Sequence, residues 1–397
     1  MLLEPIIRNL KYNASIRSIK RLDLRKLETY LREALSNNNF NLILEDTNSI
    51  RVSNIIRLGG GLANDVYSFL VTYTERGKRK QLDLVIKTYG ENVYPVFESY
   101  IHDSELRMCV REWVALKNLE RVGFPVPKVY ICECDYRFLG YPFVIMAKIK
   151  TSKKNNYDHI DRFASFLAQL HNLEIEQLDL GALKFPKDGY SFARRWPIHF
   201  KHALNIDTKH NKGLKRDFDL AISWLQANVS NNFCPKYRLI HGDAHPGNAL
   251  FTNDSKFTLI DWTSADIGDP AFDVGNAYNL VKFFADPQNP NSSEQISERF
   301  FSEYLKKSKL DIRSRLKFYQ VVGILAYAII YSSGLSSPIK AIKYHQRKVS
   351  PLFPFLQKPL ILFAFPFIRW PFVARQIQAE GDLNWLKYFQ KFMEKLF

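Results

Sequence analysis

The chain has 397 residues, long enough for one bilobal enzyme or several domain-sized units, and its 46% hydrophobic and 14% aromatic content can fill a core without disulfide staples. A formal charge of +16 favours anionic partners: a nucleotide, an anionic membrane surface or nucleic acid. No zinc-finger, RNA-recognition or basic-zipper signature is present, which removes nucleic acid, and no apolar run reaches the roughly 18 residues of a conventional transmembrane helix.

The N-terminal run MLLEPIIRNLKYN lacks the continuous apolar centre of a signal peptide. Cys109, Cys132, Cys134 and Cys234 make no CxxC pair and no Cys/His ligand spacing, so they are expected to be reduced, buried thiols of a cytoplasmic protein. Cys132 and Cys134, two apart on a strand, share a face and are poorly placed to bond each other.

Along the chain, Leu24, Leu27, Tyr30 and Leu31 recur at helical spacing, with Arg17, Lys20, Arg21, Arg25 and Lys26 on a solvated face. From residue 50 the pattern changes to strands. Asn54 to Leu58 leads into Gly59-Gly60-Gly61; Val66 to Tyr73 then runs to a hairpin at Glu75-Arg76-Gly77-Lys78, and Leu82 to Lys87 returns. A glycine turn between strands lets backbone N–H groups approach a phosphate with no side chain in between, although alone it is equally a plain hairpin turn. Lys87 closes the run Val85-Ile86-Lys87 and is a candidate to pair with phosphates.

Ser104 to Glu120 is the next helix, with an apolar stripe of Leu106, Cys109, Val110, Trp113, Leu116 and Leu119. Glu112 borders that stripe. A carboxylate at the margin of a buried face needs a cation, and Lys87 is the natural one; Glu105, two turns back, is the second candidate. Phe124-Pro125-Val126-Pro127 ends this segment, and Pro142 to Met146 is an apolar strand. Asp161 to Leu173 is a helix with Phe163, Phe166, Leu167 and Leu170 on its core face and a structural His171 at its end. The polar stretch from Asp207 to Arg216 reads as a loop.

The densest chemistry lies in His241-Gly242-Asp243-Ala244-His245-Pro246-Gly247-Asn248, followed by Leu259-Ile260-Asp261-Trp262. Asp243, Asn248 and Asp261 stand in the order that phosphoryl transfer uses. One Asp orients and deprotonates the attacking hydroxyl; the Asn and the second Asp hold Mg²⁺ against nucleotide phosphates. The pattern H-x-D-x-x-x-x-N is matched residue for residue, with Gly242 where protein kinases carry Arg.

The runs HGDAHPGNALF and IDWTSADIGDPAFDVG resemble the aminoglycoside phosphotransferase and choline kinase family of small-molecule kinases. The resemblance implies an α+β, bilobal protein-kinase-like fold. It has a small N-terminal antiparallel β-sheet lobe with one helix, a larger, mainly helical C-terminal lobe, and here a basic aromatic C-terminal extension. The expected divisions are an N-terminal helical extension (1–49), a nucleotide-binding N-lobe and hinge (50–149), a C-lobe with catalytic loop and acceptor pocket (150–335) and the extension (336–397).

The run Gly60-Gly61-Leu62-Ala63-Asn64 is similar to the family's phosphate loop, and Arg111-Glu112 matches its usual Arg-Glu. The resemblance places adenine against backbone near Met146 to Lys148. It assigns Gly60, Gly61, Asn64, Lys87, Glu112, Met146 and Lys148 to ATP, Asn248 and Asp261 to Mg²⁺, and Asp243 to proton abstraction. Asp269 and Asp273 look like the family's structural carboxylates, for helix capping and loop anchoring. His245 either touches substrate or braces its loop. The short interval between Asp261 and Gly268-Asp269-Pro270 leaves no platform for a peptide, so a small-molecule hydroxyl acceptor is expected.

The segment from Ile312 to Ala379 contains no Asp or Glu, and between Pro351 and Val373 it is dense in Phe, Leu and Pro. Residues 336–375 therefore suit peripheral contact with an anionic membrane at its inner surface, or packing on the C-lobe. A helix from Val321 to Tyr331 is expected just before. Two alternatives to a small-molecule kinase stay open: a membrane-surface lipid or lipid-headgroup kinase using the same site, and a nucleotide-binding pseudokinase scaffold.

Overall fold

The computed structural model describes residues 22, 24–36, 47–58, 64–89, 105–151, 159–207, 212–252, 257–284, 290–336 and 388–395. The N-terminal lobe is built on a five-stranded antiparallel sheet. Its strands are β1 (Arg51–Leu58), β2 (Asn64–Glu75), β3 (Lys78–Tyr89), β4 (Val129–Glu133) and β5 (Phe143–Ala147), in the order β1-β2-β3-β5-β4. The β2–β3 hairpin turns on Arg76 and Gly77, both at positive φ (50° and 67°), the backbone that matches the twist of the flanking strands.

Both faces of the sheet are covered. Helix α1 (Leu24–Ser36) buries Leu27, Tyr30 and Leu31 with Phe69, Leu84, Ile86 and Ile145 on one face. Helix α2 (Glu105–Arg121) packs on the other with Cys109, Leu116 and Leu119 against Tyr89, Val129 and Val144. The helix expected in a separate N-terminal extension is thus part of this lobe's packing. The Tyr30 hydroxyl donates to Glu133 (2.9 Å), and the Val52 N–H donates to Glu28 (2.9 Å). The phosphate-loop glycines Gly60 and Gly61 lie outside the described residues.

The C-terminal lobe is mainly helical. It comprises α3 (Ile160–Asn172), α4 (Ser191–Asp207), α5 (Lys212–Asn228), α6 (Pro270–Phe284), α7 (Pro290–Lys307) and α8 (Arg313–Ser336). The stretch expected as a loop to Arg216 is already helical from Lys212, because Leu214 and Phe218 give it a buried face despite its lysines. The helix expected over Val321–Tyr331 runs instead for 24 residues, since nothing between Arg313 and Ser336 breaks it. Among the described residues no helix is long and apolar enough to cross a membrane.

Helices α6 and α8 cross closely: a Cβ built on Gly275 would lie 2.9 Å from the Gln320 backbone nitrogen. Two small ladders accompany these helices. One joins β6 (Arg238–Ile240) to β9 (Asp266–Gly268), and the other joins β7 (Ala249–Phe251) to β8 (Phe257–Leu259).

Most of the C-terminal extension, 337–387, including the part expected to meet membrane, lies outside the described residues. Its described end, a helix over 388–395, buries Phe389 and Met393 in the C-lobe core. The Phe389 ring lies 5.4 Å from that of Phe218, and the Lys317 ammonium lies 4.3 Å from the centre of the Phe392 ring.

Asp269 caps α6 as expected, accepting from the Ala271 N–H (2.9 Å). It also takes a two-pronged contact from Arg315 of α8 (2.7 and 3.3 Å), and both residues are buried. Asp269→Ala strands the Arg315 guanidinium without its partner, so it should lower unfolding stability by about 3–5 kcal/mol, measured by urea denaturation.

Candidate active site

The His241–Asn248 loop is held by its backbone. Asp273, at the start of α6, accepts from the N–H groups of His241 (2.7 Å) and Gly242 (2.8 Å) and contacts the His171 ring (3.2 Å). His171 is fully buried and bonded also to the Tyr304 hydroxyl (2.9 Å), in keeping with a structural role. Gly242 has φ +81°, and a Cβ there would meet the Ser264 carbonyl oxygen at 2.0 Å. Only glycine fits, which is the physical reason that an Arg is absent at this place.

His241 is buried against the Trp262 ring (centroids 4.6 Å apart). Its Nδ1 accepts from the Asp243 N–H (3.2 Å), so the proton is on Nε2, which donates to the Ile260 carbonyl (3.0 Å). The ring therefore joins the two motifs. Asn248 donates from Nδ2 to the Asp243 carbonyl (3.0 Å) and carboxylate (3.3 Å), and its own carbonyl accepts from the Ile260 N–H (2.9 Å). Because Ala249 pairs with Leu259 in the β7–β8 ladder, Asn248 and Asp261 emerge from the same end of that hairpin. Asp261 sits at φ 66°, ψ 62°, a left-handed conformation that a non-glycine residue holds at a cost of order 1–3 kcal/mol.

The N-lobe meets this loop through Lys87. Its ammonium lies 2.6 Å from Asp261 and 2.8 Å from Glu112. Glu112 of α2 also accepts from the Tyr89 hydroxyl (2.5 Å) and the Trp262 N–H (3.1 Å). Lys87 and Tyr89 are two apart on β3 and so point to the same face, toward α2. Burial opposes the Lys87 charge, but Asp261 and Glu112 outweigh it and hold its pKa above the ordinary lysine value. Burial likewise opposes the Asp261 charge; the Lys87 ammonium and a hydrogen bond from the Thr263 hydroxyl (2.8 Å) prevail and bring its pKa down to about 2. Among the described residues no hydrogen-bond donor meets Asn248 Oδ1 or Asp261 Oδ2. An amide oxygen and a carboxylate oxygen are the ligand types that suit a hard divalent cation.

The model of the phosphotransferase enzyme family matches residues 55–309, more than half of the chain. The chain belongs to that family. The solved structure of an ethanolamine kinase from Plasmodium vivax has 14% identity and a TM-score of 0.52, over 94% of this chain and 90% of that one, a likeness of fold alone. Acyl-CoA dehydrogenase family member 11 of Homo sapiens and of Pongo abelii are each 26% identical over 210 residues. Those matches cover 49% of this chain but only 25% of each relative, so this chain spans about a quarter of their length.

In this phosphotransferase-family chain, Lys87 meets Glu112 and Asp261, and Asn248 meets Asp243. Asn64, at the start of β2, is buried, and its Oδ1 has no hydrogen-bond partner among the described residues. At the strand expected to meet adenine, two backbone donors are engaged. Met146 lies within β5, and the N–H groups of Ala147 and Lys148 already donate to Lys128 (2.8 Å) and Asp83 (3.0 Å). Adenine at this strand would have to meet carbonyls or the chain beyond Lys148, because the sheet has taken these two donors.

His245 accepts at Nδ1 from the Gly247 N–H (3.0 Å), which braces the turn, while its Nε2 faces Asp243 at 3.8 Å. Two contacts escape sequence reading. Tyr89 is recoverable from the strand's two-residue period, by which it follows Lys87 onto the same face. Tyr327 of α8 donates its hydroxyl to Asp243 Oδ1 (3.1 Å) from 84 residues away, with no local signal.

Because its folded pKa is depressed, ionised Asp261 contributes stability that is complete above the ordinary carboxylate value of 3.8 and disappears as pH falls through about 2. The stability difference between wild type and Asp261→Asn should shrink between about pH 4 and pH 2, followed by chemical denaturation across that window.

Proposed function

We propose that this chain is an ATP- and Mg²⁺-dependent kinase that transfers the γ-phosphoryl group to a hydroxyl of a small-molecule acceptor. The observation that carries the reading is the meeting of Lys87 and Glu112 from the N-lobe with Asp261 from the C-lobe, beside the hydrogen-bonded pair Asn248 and Asp243. Separate parts of the chain thereby supply a phosphate-pairing cation, oxygen ligands and a general base at one place.

In this reading Lys87, kept charged by its two carboxylates, grips the nucleotide phosphates. Asn248 Oδ1 and the Asp261 carboxylate would hold Mg²⁺, which neutralises phosphate charge. Asp243 accepts the hydrogen bond of the acceptor hydroxyl and takes its proton as that oxygen bonds to the γ-phosphorus. The bond to the β,γ-bridging oxygen breaks, and ADP leaves. Positioning and charge neutralisation supply most of the rate gain.

A small acceptor is favoured by the chain that follows Asp261. Trp262–Ser264 forms one tight turn, Asp266–Gly268 pairs with β6, and α6 begins at Pro270. No length is left over for a peptide platform. The Tyr327 hydroxyl occupies the position at Asp243 Oδ1 that an acceptor hydroxyl would take, which makes α8 a wall of the acceptor pocket in this reading.

The test is an Mg-ATP phosphorylation screen over metabolite and lipid extracts, run beside variants. Asp243→Asn should lower kcat by on the order of 10² or more with the ATP KM nearly unchanged. Full turnover in that variant would reject the assignment. Tyr327→Phe removes one hydrogen bond, of about 0.5–1.5 kcal/mol, and should change kcat/KM for the acceptor by roughly 2- to 10-fold while leaving the ATP KM alone.

A further inference from the structure

Three thiols converge between α2 and β4, behind the Glu112 end of the site above. Cys109 lies on α2, one turn before Glu112; Cys132 is on β4 and Cys134 immediately follows it. The Cys109 and Cys132 sulfurs are 3.7 Å apart, those of Cys132 and Cys134 are 3.9 Å apart, and all three lie within 4.8 Å of one another. Cys109 is fully buried; the other two are partly exposed, which gives the cluster one open side. Sequence spacing suggested no such group, because 23 residues separate Cys109 from Cys132 and only the packing of helix on strand joins them.

The separations are informative. A disulfide needs sulfurs about 2.05 Å apart, and the i, i+2 pair on one strand face is badly placed to reach that. Sulfurs around a four-coordinate ion with Zn–S bonds of about 2.3 Å stand roughly 3.8 Å apart along each edge of the tetrahedron. The two closest pairs already have that spacing. The Glu133 carboxylate, on the strand between Cys132 and Cys134, is turned to the Tyr30 hydroxyl (2.9 Å) and the Asp135 N–H (2.7 Å), and the converging ligand atoms are three sulfurs.

We infer that Cys109, Cys132 and Cys134 form a binding site for a thiophilic d¹⁰ cation, with Zn²⁺ as its probe, held by three thiolates with the fourth position open to water. Soft sulfur donors select Zn²⁺ and Cu⁺ over the hard Mg²⁺ that oxygen ligands prefer. Binding takes the sulfurs as thiolates and displaces the protons that the cluster still carries. The ion would fasten β4 to the helix that carries Glu112, and so fix the aim of Glu112 at Lys87. The inference is independent of the kinase reading, because its readout is the metal itself.

The test uses the full chain, reduced and stripped with chelator, then titrated with Co²⁺ and afterwards with Zn²⁺. Expected are a thiolate-to-cobalt charge-transfer band that saturates at one ion per chain, and its loss as Zn²⁺ displaces Co²⁺. Cys134→Ser, at a partly exposed position that tolerates the change, should weaken Zn²⁺ binding by more than the roughly 10- to 100-fold that loss of a supporting partner costs. Cys234→Ser, outside the cluster, should leave binding unchanged. Absence of the band in folded, reduced protein would overturn the inference, and so would Zn²⁺ uptake that Cys134→Ser does not weaken. Recovery of the protein as a metal-free Cys109–Cys132 disulfide would overturn it in favour of a redox pair.

Discussion

The arrangement of both lobes depends on one buried ammonium between two carboxylates. Lys87 cannot remain charged in its buried position without partners, and it finds Glu112 on its own lobe and Asp261 on the other. Breaking up such a group leaves an uncompensated charge away from water, which is far more costly than the pair is stabilising. Glu112 extends the constraint: it holds Lys87, Tyr89 and the Trp262 N–H at once, so one carboxylate links α2, β3 and the Asp261 segment. In the proposed function this would be the place where a nucleotide's phosphates compete with Asp261 for the same cation.

A second constraint sits below the first. The His241–Asn248 loop is anchored by Ala244 in the core and shaped by buried polar groups. Asp273 fixes two consecutive backbone N–H groups, His241 ties Asp243 to the Ile260 carbonyl, and Gly242 lets the chain pass against Ser264. Asp269 and Arg315 then fasten α6 to α8, whose close crossing at Gly275 carries Tyr327 toward Asp243. The His241–Asn248 loop is thus positioned by α6, through Asp273 of its own motif, and by α8, which carries none.

The N-terminal helix shows how packing can reassign a segment. Its basic face and position suggested an appendage, yet its apolar stripe closes the outer face of the sheet and leaves β2 buried on both sides. The described end of the C-terminal extension behaves similarly, with Phe389 and Met393 inserted in the C-lobe core. Basic composition describes which faces meet solvent; the few apolar residues between the charges decide where a helix goes.

The sequence determined the strand–glycine–strand opening, the helix bearing Glu112 and the order Asp243, Asn248, Asp261, because these rest on local periodicity and on residue types that only certain chemistry needs in that sequence. The kinase-like fold class was legible through the resemblance of two motif runs, and the convergence of Lys87 with Glu112 because a carboxylate at the margin of a buried face demands a cation. What only the tertiary structure decided were contacts between side chains far apart in the chain. Tyr327 on Asp243, the three-cysteine cluster, the engaged N–H groups of Ala147 and Lys148 and the helical start at Lys212 all depend on which faces pack together. A linear pattern records the period of each element, but the crossing of helices and the register of strands are set by the fit of whole surfaces.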